Sequence, residues 1–313
     1  MTAGVALACA VAVCWGVLPG RVWAQVQRQA PAADQRSSIR VEVNLVTVLA
    51  SVLDRDNRPA PDLKQEQFQI FEEGKPQKIE LFETETQQPL DLVLMIDSSL
   101  SESSKLPFEL EAAGRFIRRV MRPVDRVAVY EFGDAVTQLA PFTNQPDRVR
   151  SALERITPGT GTALYDAVYL GSQALEHGAG ERRRVLLLLT DAGETTSRAD
   201  FETARRAALR AEALLYAIVV RPVNNEGGRN TAGEHALETI ADTSGGAMYY
   251  PVQITQLDEM FDRIDRELRT QYRLGYYPQP RPPQGAYRQV EVRVNGDYTV
   301  RHRKAYYAGG PDN

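Results

Sequence analysis

The run LDLVLMIDSSLS, residues 90–101, decides the fold. Its first part is a nearly continuous apolar stretch, not an alternating one. A strand of that kind is buried on both faces, as a central parallel sheet requires. Three further runs share this character: RVAVYEF (126–132), RVLLLLTD (184–191) and ALLYAIVV (213–220). Between them the apolar period becomes that of a helix. Leu106, Leu110, Ala113, Ile117 and Val120 share one face, and so do Leu164, Val168, Gly171 and Leu175. Asp200 precedes a third helix, with Ala204, Ala208 and Ala211 inward and Arg205, Arg206 and Arg210 on its flanks. Leu257, Phe261, Ile264 and Leu268 mark the last. Alternating strands and helices predict an α/β domain with a doubly wound, mostly parallel sheet over residues 88–270.

On either side the pattern is β. Ile39, Val41, Val43 and Leu45 alternate with Arg40, Glu42 and Asn44, the period of a half-buried strand. Asp54–Pro59 is a turn cluster, and Glu73-Gly74 separates Phe68-Gln69-Ile70-Phe71 from Ile79-Glu80-Leu81-Phe82. These features predict a small antiparallel unit ending near Thr86. After a proline-rich loop at 278–285, Val290, Val292 and Val294 alternate with Gln289, Glu291 and Arg293. Asn295-Gly296 is then a hairpin signal leading into Tyr298-Thr299-Val300.

The chain has 313 residues, 43% hydrophobic and 25% charged. Those are the proportions of an ordinary soluble globular protein, and they exclude general disorder and a polytopic membrane protein. A net charge of −4 supplies no basic field to attract nucleic acid. The cations are nearly all arginine, scattered along helices and not clustered. Residues 3–18 are apolar and uncharged, and Val22-Trp23-Ala24 places small residues where a signal peptidase reads. This predicts a signal peptide over 1–24, a polar linker over 25–37 and an extracytoplasmic location, with no stable membrane insertion after cleavage. An uncleaved single-pass anchor is the alternative. Cys9 and Cys14, the only cysteines, leave with the signal, so the mature chain relies on packing and not on disulfides.

In a doubly wound sheet, ligands bind beyond the carboxyl ends of the strands. Asp97-Ser98-Ser99-Leu100-Ser101 follows the first central strand, a spacing that turns Asp97, Ser99 and Ser101 toward one point. Thr190-Asp191 ends a later strand at the same edge. Between them, Gly159-Thr160-Gly161-Thr162 opens a helix, where glycine permits close approach and Thr162 offers a hydroxyl. Carboxylates, hydroxyls and water form the hard-oxygen environment that suits Mg²⁺ or Mn²⁺. Taken singly, Asp97, Ser99 or Thr162 reads as a helix cap and Asp191 as a turn residue. Taken together they read as a metal site. Asp166 reads as a packing or supporting hydrogen-bond residue outside the ligand set. Catalytic patterns are missing: His177, His235 and His302 lack zinc spacing, and no G-x-S-x-G elbow occurs. The chain therefore reads as a non-enzyme, with His235 and His302 at the surface.

The D-x-S-x-S run at 97–101, the G-T-A-L-Y-D-A helix start at 161–167 and the L-L-T-D strand end at 188–191 together resemble a von Willebrand factor type A domain. The flanks FQIFEEGKPQKIELF and YRLGYYPQPRPP…YRQVEVRV resemble those of von Willebrand-related exported proteins of Acidobacteria. The resemblance implies a metal-ion-dependent adhesion site on Asp97, Ser99, Ser101, Thr162 and Asp191. There, Mg²⁺ or Mn²⁺ captures an Asp or Glu carboxylate of a partner protein. Leu100 stands where the family often has Gly, and Ala192 intervenes where Asp-Gly is usual. The resemblance also implies that the chain enters and leaves the domain on the side opposite the metal, with Pro89 and Thr270 close together. Segments 38–86 and 271–307, each too small to bury a core alone, then combine into one discontinuous β-sandwich. Its expected core is Val41, Val43, Ile70, Ile79, Val290, Val292 and Val300. An adhesion or scaffold module is the expected function. The alternatives are a cell-envelope accessory factor that assembles another complex or metal centre, and, further off, a hydrolase.

Overall fold

The computed structural model describes residues 45–84, 88–178, 181–220 and 230–309. The expected signal, the linker, the strand at 39–44 and the core positions Val41 and Val43 lie outside them. In chain order the first four strands are β1 (Val46–Leu53), β2 (Phe68–Glu72), β3 (Lys75–Gln77) and β4 (Leu81–Glu83). Then come β5 (Leu90–Asp97), α1 (Leu106–Val120), β6 (Arg126–Phe132), β7 (Val136–Thr143), α2 (Pro146–Leu153) and α3 (Leu164–Glu176). They are followed by β8 (Arg183–Thr190), α4 (Phe201–Arg210), β9 (Leu214–Val219), α5 (Thr231–Ser244), β10 (Ala247–Tyr249) and α6 (Leu257–Arg269). The last four strands are β11 (Tyr272–Tyr276), β12 (Tyr287–Val294), β13 (Thr299–His302) and β14 (Ala305–Tyr307).

The central sheet has six strands in the order β10-β9-β8-β5-β6-β7. All its pairings are parallel except β6 with β7. Every residue of β5 and of β9 is buried, as their unbroken apolar runs require. Residues of α1, α2 and α6 pack on one face, where Phe116 and Phe261 stack at 4.5 Å. Residues of α3, α4 and α5 cover the other.

The flanking strands form two four-stranded sheets, β13-β1-β11-β4 and β14-β12-β2-β3, each mixing strands from both ends of the chain. They share a core that includes Val48, Val52, Phe68, Ile70, Tyr272, Leu274, Val290 and Val292. Ile79 and Val300 pack at its border and are only partly buried. Two local expectations are corrected. Glu73-Gly74 does turn the chain, with φ of 49° and 73°, but the strand it leads into is β3, which pairs with β2. The 79–82 run instead crosses over and supplies β4 to the other sheet. Asn295-Gly296 likewise closes no hairpin, because β12 pairs with β2 and β14 while β13 pairs with β1. In a sandwich an alternating strand fits either layer, so a turn signal marks where the chain bends and not which sheet it joins.

The entry and exit of the α/β part meet at Arg183. Its backbone N–H donates to the Pro89 carbonyl at 2.8 Å, and its guanidinium donates to the carbonyls of Gln88 (3.3 Å) and Leu268. His302, expected at the surface, is 2% exposed. Its Nε2 accepts from the Val292 N–H at 3.1 Å, so Nδ1 carries the proton and donates to the Arg303 carbonyl at 2.8 Å.

Candidate metal centre

The carboxyl ends of β5 and β8 lie side by side, and the loops leaving them carry the expected ligands. Asp97, the last residue of β5, is fully buried. Its Oδ1 accepts from the Ser99 N–H at 2.9 Å and its Oδ2 from the Thr190 hydroxyl at 2.5 Å. Burial pushes the Asp97 carboxyl up to about 7. The Thr190 and Ser99 hydrogen bonds oppose that shift, and the neighbouring Asp191 carboxylate adds to it. The hydroxyls of Ser99 and Ser101 face each other at 3.0 Å.

Asp191 and Thr162 meet from the other side. A side chain begun at Gly193 would lie 3.0 Å from Asp191 Oδ1 and 3.3 Å from Thr162 Oγ1, so both oxygens border one small space. Backbone bonds lock the loops that carry them. The Thr195 N–H donates to the Thr162 carbonyl at 2.9 Å, and the Thr162 N–H donates to the Thr195 hydroxyl at 2.9 Å. The Gly159 N–H donates to the Ser98 carbonyl at 2.5 Å. The Gly159–Thr162 segment is a loop, and α3 begins just after it at Leu164. All five expected ligands thus gather at one sheet edge, Asp97 at the end of β5 and Ser99 and Ser101 on the loop after it. Asp166 behaves as expected outside the set, accepting from the N–H groups of Arg198 and Ala199 at 3.0 and 2.8 Å.

Several supporting residues escape the sequence reading. Thr190 orients Asp97 and also accepts the Ala192 N–H at 2.9 Å. The Glu194 carboxylate accepts the Tyr165 N–H at 3.0 Å, which suits the positive end of α3. Ala192 is buried at φ +63°, a left-handed backbone that costs an L-residue about 1–2 kcal/mol. Leu100, where glycine is usual, is 58% exposed between the two serines and forms part of the rim.

Among the described residues no group of three or more His, Cys, Asp or Glu can hold a metal. The expected ligands are two carboxylates and three hydroxyls, whose all-oxygen chemistry fits Mg²⁺ or Mn²⁺. In that role Asp97 and Asp191 would supply charge, and Ser99, Ser101 and Thr162 neutral donors.

Residues 92–194 match the family model of the von Willebrand factor type A domain. Among solved structures, a von Willebrand factor type A protein from Catenulispora acidiphila superposes with a TM-score of 0.51 at 12% identity, over 84% of this chain and 73% of that one. That likeness establishes the fold. BatB, a conserved hypothetical protein from Bacteroides thetaiotaomicron, gives 0.46 at 16% identity over 57% of this chain and 98% of its own. The pilus adhesin SpaC from Lactobacillus rhamnosus GG, in an open conformation, gives 0.48 at 10% identity over 82% and 45%. A search of curated proteins finds no match.

Proposed function

We propose that this protein is an exported binding module that holds Mg²⁺ or Mn²⁺ on Asp97, Ser99, Ser101, Thr162 and Asp191 and uses it to capture an Asp or Glu side chain of a partner protein. The observation that carries the reading is the state of Asp97. Its buried carboxyl is held by neutral donors alone, in a site whose remaining oxygens come mainly from hydroxyls. So few anionic donors leave a bound dication short of negative charge, and an incoming carboxylate supplies it. The chain's own residues fix where that carboxylate must arrive, between the β5 loop and the Asp191 loop. The flank motifs and the apolar residues 3–18 support export, and no described helix is long and apolar enough to cross a membrane.

Calorimetry with Mn²⁺ tests the metal. The Asp97→Ala variant is expected to lose binding, while Ser99→Ala loses less because water can take the vacated place. Undiminished Mn²⁺ binding by Asp97→Ala would refute the site. A pull-down from envelope extract in Mg²⁺ against EDTA then tests capture, with a partner retained only in Mg²⁺ as the expected result. Export is checked by N-terminal sequencing of the native protein. A start near Gln25 is expected, and a start at Met1 or Thr2 would exclude cleavage.

A further inference from the structure

At the opposite edge of the central sheet, where β8 and β9 begin, a cavity of about 320 Å³ opens against β1, β11 and the chain after β13. Its volume lies at the lower end of small-ligand sites, roughly 300–1,000 Å³. Arginines scattered in the sequence converge here. The consecutive Arg182, Arg183 and Arg184 meet Arg273 from β11 and Arg303 from beyond β13, and among the described residues lining it only Glu181 and Glu212 are acidic.

Three of these guanidiniums face carboxylates: Arg182 the Asp91 it shares with Arg126, at 2.5 Å, Arg273 Glu83 and Glu181 at 3.3 Å each, and Arg303 Glu212 at 2.5 Å. Arg183 and Arg184 have no such partner among the described residues, and Arg303 keeps donors that its carboxylate does not fill. Arg183 is 2% exposed, and its guanidinium reaches only backbone carbonyls among the described residues. The Arg184 guanidinium likewise donates to the Ala211 carbonyl at 3.0 Å, with no carboxylate partner among the described residues. Arg303 is 7% exposed and donates from Nη2 to the Thr47 carbonyl at 2.6 Å. Its Nη1 stands 2.5 Å from Glu212 without hydrogen-bond geometry, and its Nε has no acceptor among the described residues. A buried cation with donors left over is costly. Carbonyl dipoles soften that cost but do not cancel the charge.

We propose that this cavity binds a tetrahedral oxyanion, as inorganic phosphate or a small phosphomonoester. Guanidinium forks approaching from separate strands match phosphate oxygens, which accept paired N–H bonds and carry up to two charges. The site is independent of the metal centre, which sits at the other end of the strands.

The test uses the full chain in EDTA, so that phosphate has no bound cation to reach. Thermal unfolding and calorimetry are run with phosphate, glycerol 3-phosphate and acetate against chloride at equal ionic strength. Phosphate is expected to raise Tm beyond chloride and acetate, with saturable binding. Binding of glycerol 3-phosphate as well would show that the site takes an ester, and binding of phosphate alone that it takes the free anion. Arg184→Gln, on a half-buried side chain, is expected to weaken phosphate binding at least tenfold. Arg303→Lys keeps the charge, removes the fork and should also weaken it. A phosphate effect no larger than that of chloride or acetate, or unchanged affinity in a folded Arg184→Gln variant, overturns the proposal.

Discussion

At Gly233 a single methyl group separates a built site from a disrupted one. A Cβ there would stand 1.9 Å from the carbonyl oxygen of Ala192, a backbone atom that cannot swing aside. Alanine is the better helix former by about 1 kcal/mol, but overpacking against backbone costs about 3 kcal/mol. The clash wins. Gly233→Ala is therefore expected to lower stability by about 2 kcal/mol in urea unfolding and, because Ala192 follows Asp191, to weaken Mn²⁺ binding in calorimetry. An unchanged affinity would mean that α5 does not set the Asp191 loop. Little of this contact is legible in the sequence. Asp97, Ser99, Ser101, Thr162 and Asp191 announce themselves because oxygen donors at strand ends have a recognisable spacing. A glycine in the first turn of a helix gives no hint of which backbone it touches.

Helix α1 carries a conflict of its own. Glu109 sits on the apolar face, between Leu106 and Ala113, and neither carboxylate oxygen has a hydrogen-bond partner. Burial holds its carboxyl well above the usual range, and the adjacent Glu102 pushes it further, against the pull of Lys105. The Lys105 ammonium donates to Glu102 at 2.7 Å and to the Val220 carbonyl at 2.9 Å, tying the start of α1 to the end of β9. A carboxyl whose folded pKa is raised stabilises below its unfolded pKa of about 4.5, and that contribution is lost as pH rises through the folded value. Glu109→Gln is thus expected to unfold at a higher temperature than the parent at pH 8 and to lose the advantage near pH 4. A constant difference across that range would show that Glu109 does not titrate. The apolar period runs through Leu106, Leu110 and Ala113, so nothing in it signals that Glu109 is buried while Leu110 is only partly so. The four apolar strands were readable because burial on both faces leaves few polar interruptions, such as Asp91 in β5 and Glu131 in β6. Strand β7 was not, since Pro141 interrupts it and only an edge position tolerates that. Helix α5 was hidden by the small and polar residues of TAGEHALETIADTS, which give a weak apolar stripe.

The molecule as a whole is two β layers whose strands are contributed from both sides of an inserted α/β unit. His302 reports on that assembly because it joins β13 to β12 across the layers. Burial lowers its imidazole to about 4 from the ordinary 6.5. The unfolded chain therefore takes up a proton below pH 6.5 that the folded one refuses until about pH 4. Its contribution is present above pH 6.5 and declines by about 3 kcal/mol as pH falls between those values. His302→Gln is expected to flatten this part of the stability profile, and an identical slope in parent and variant would count against the buried neutral histidine. The pairing of β1 with β11 has a mechanical consequence. These strands lie on opposite sides of the insertion in sequence yet are directly hydrogen-bonded, and Arg183 staples the two crossing points together. Tension applied to the chain ahead of β1 and beyond β11 enters that antiparallel ladder at one end, where Val46 faces Tyr276, and opens it one hydrogen bond at a time. The α/β unit stays off the load path, and its loops keep their geometry while the β layers take the strain.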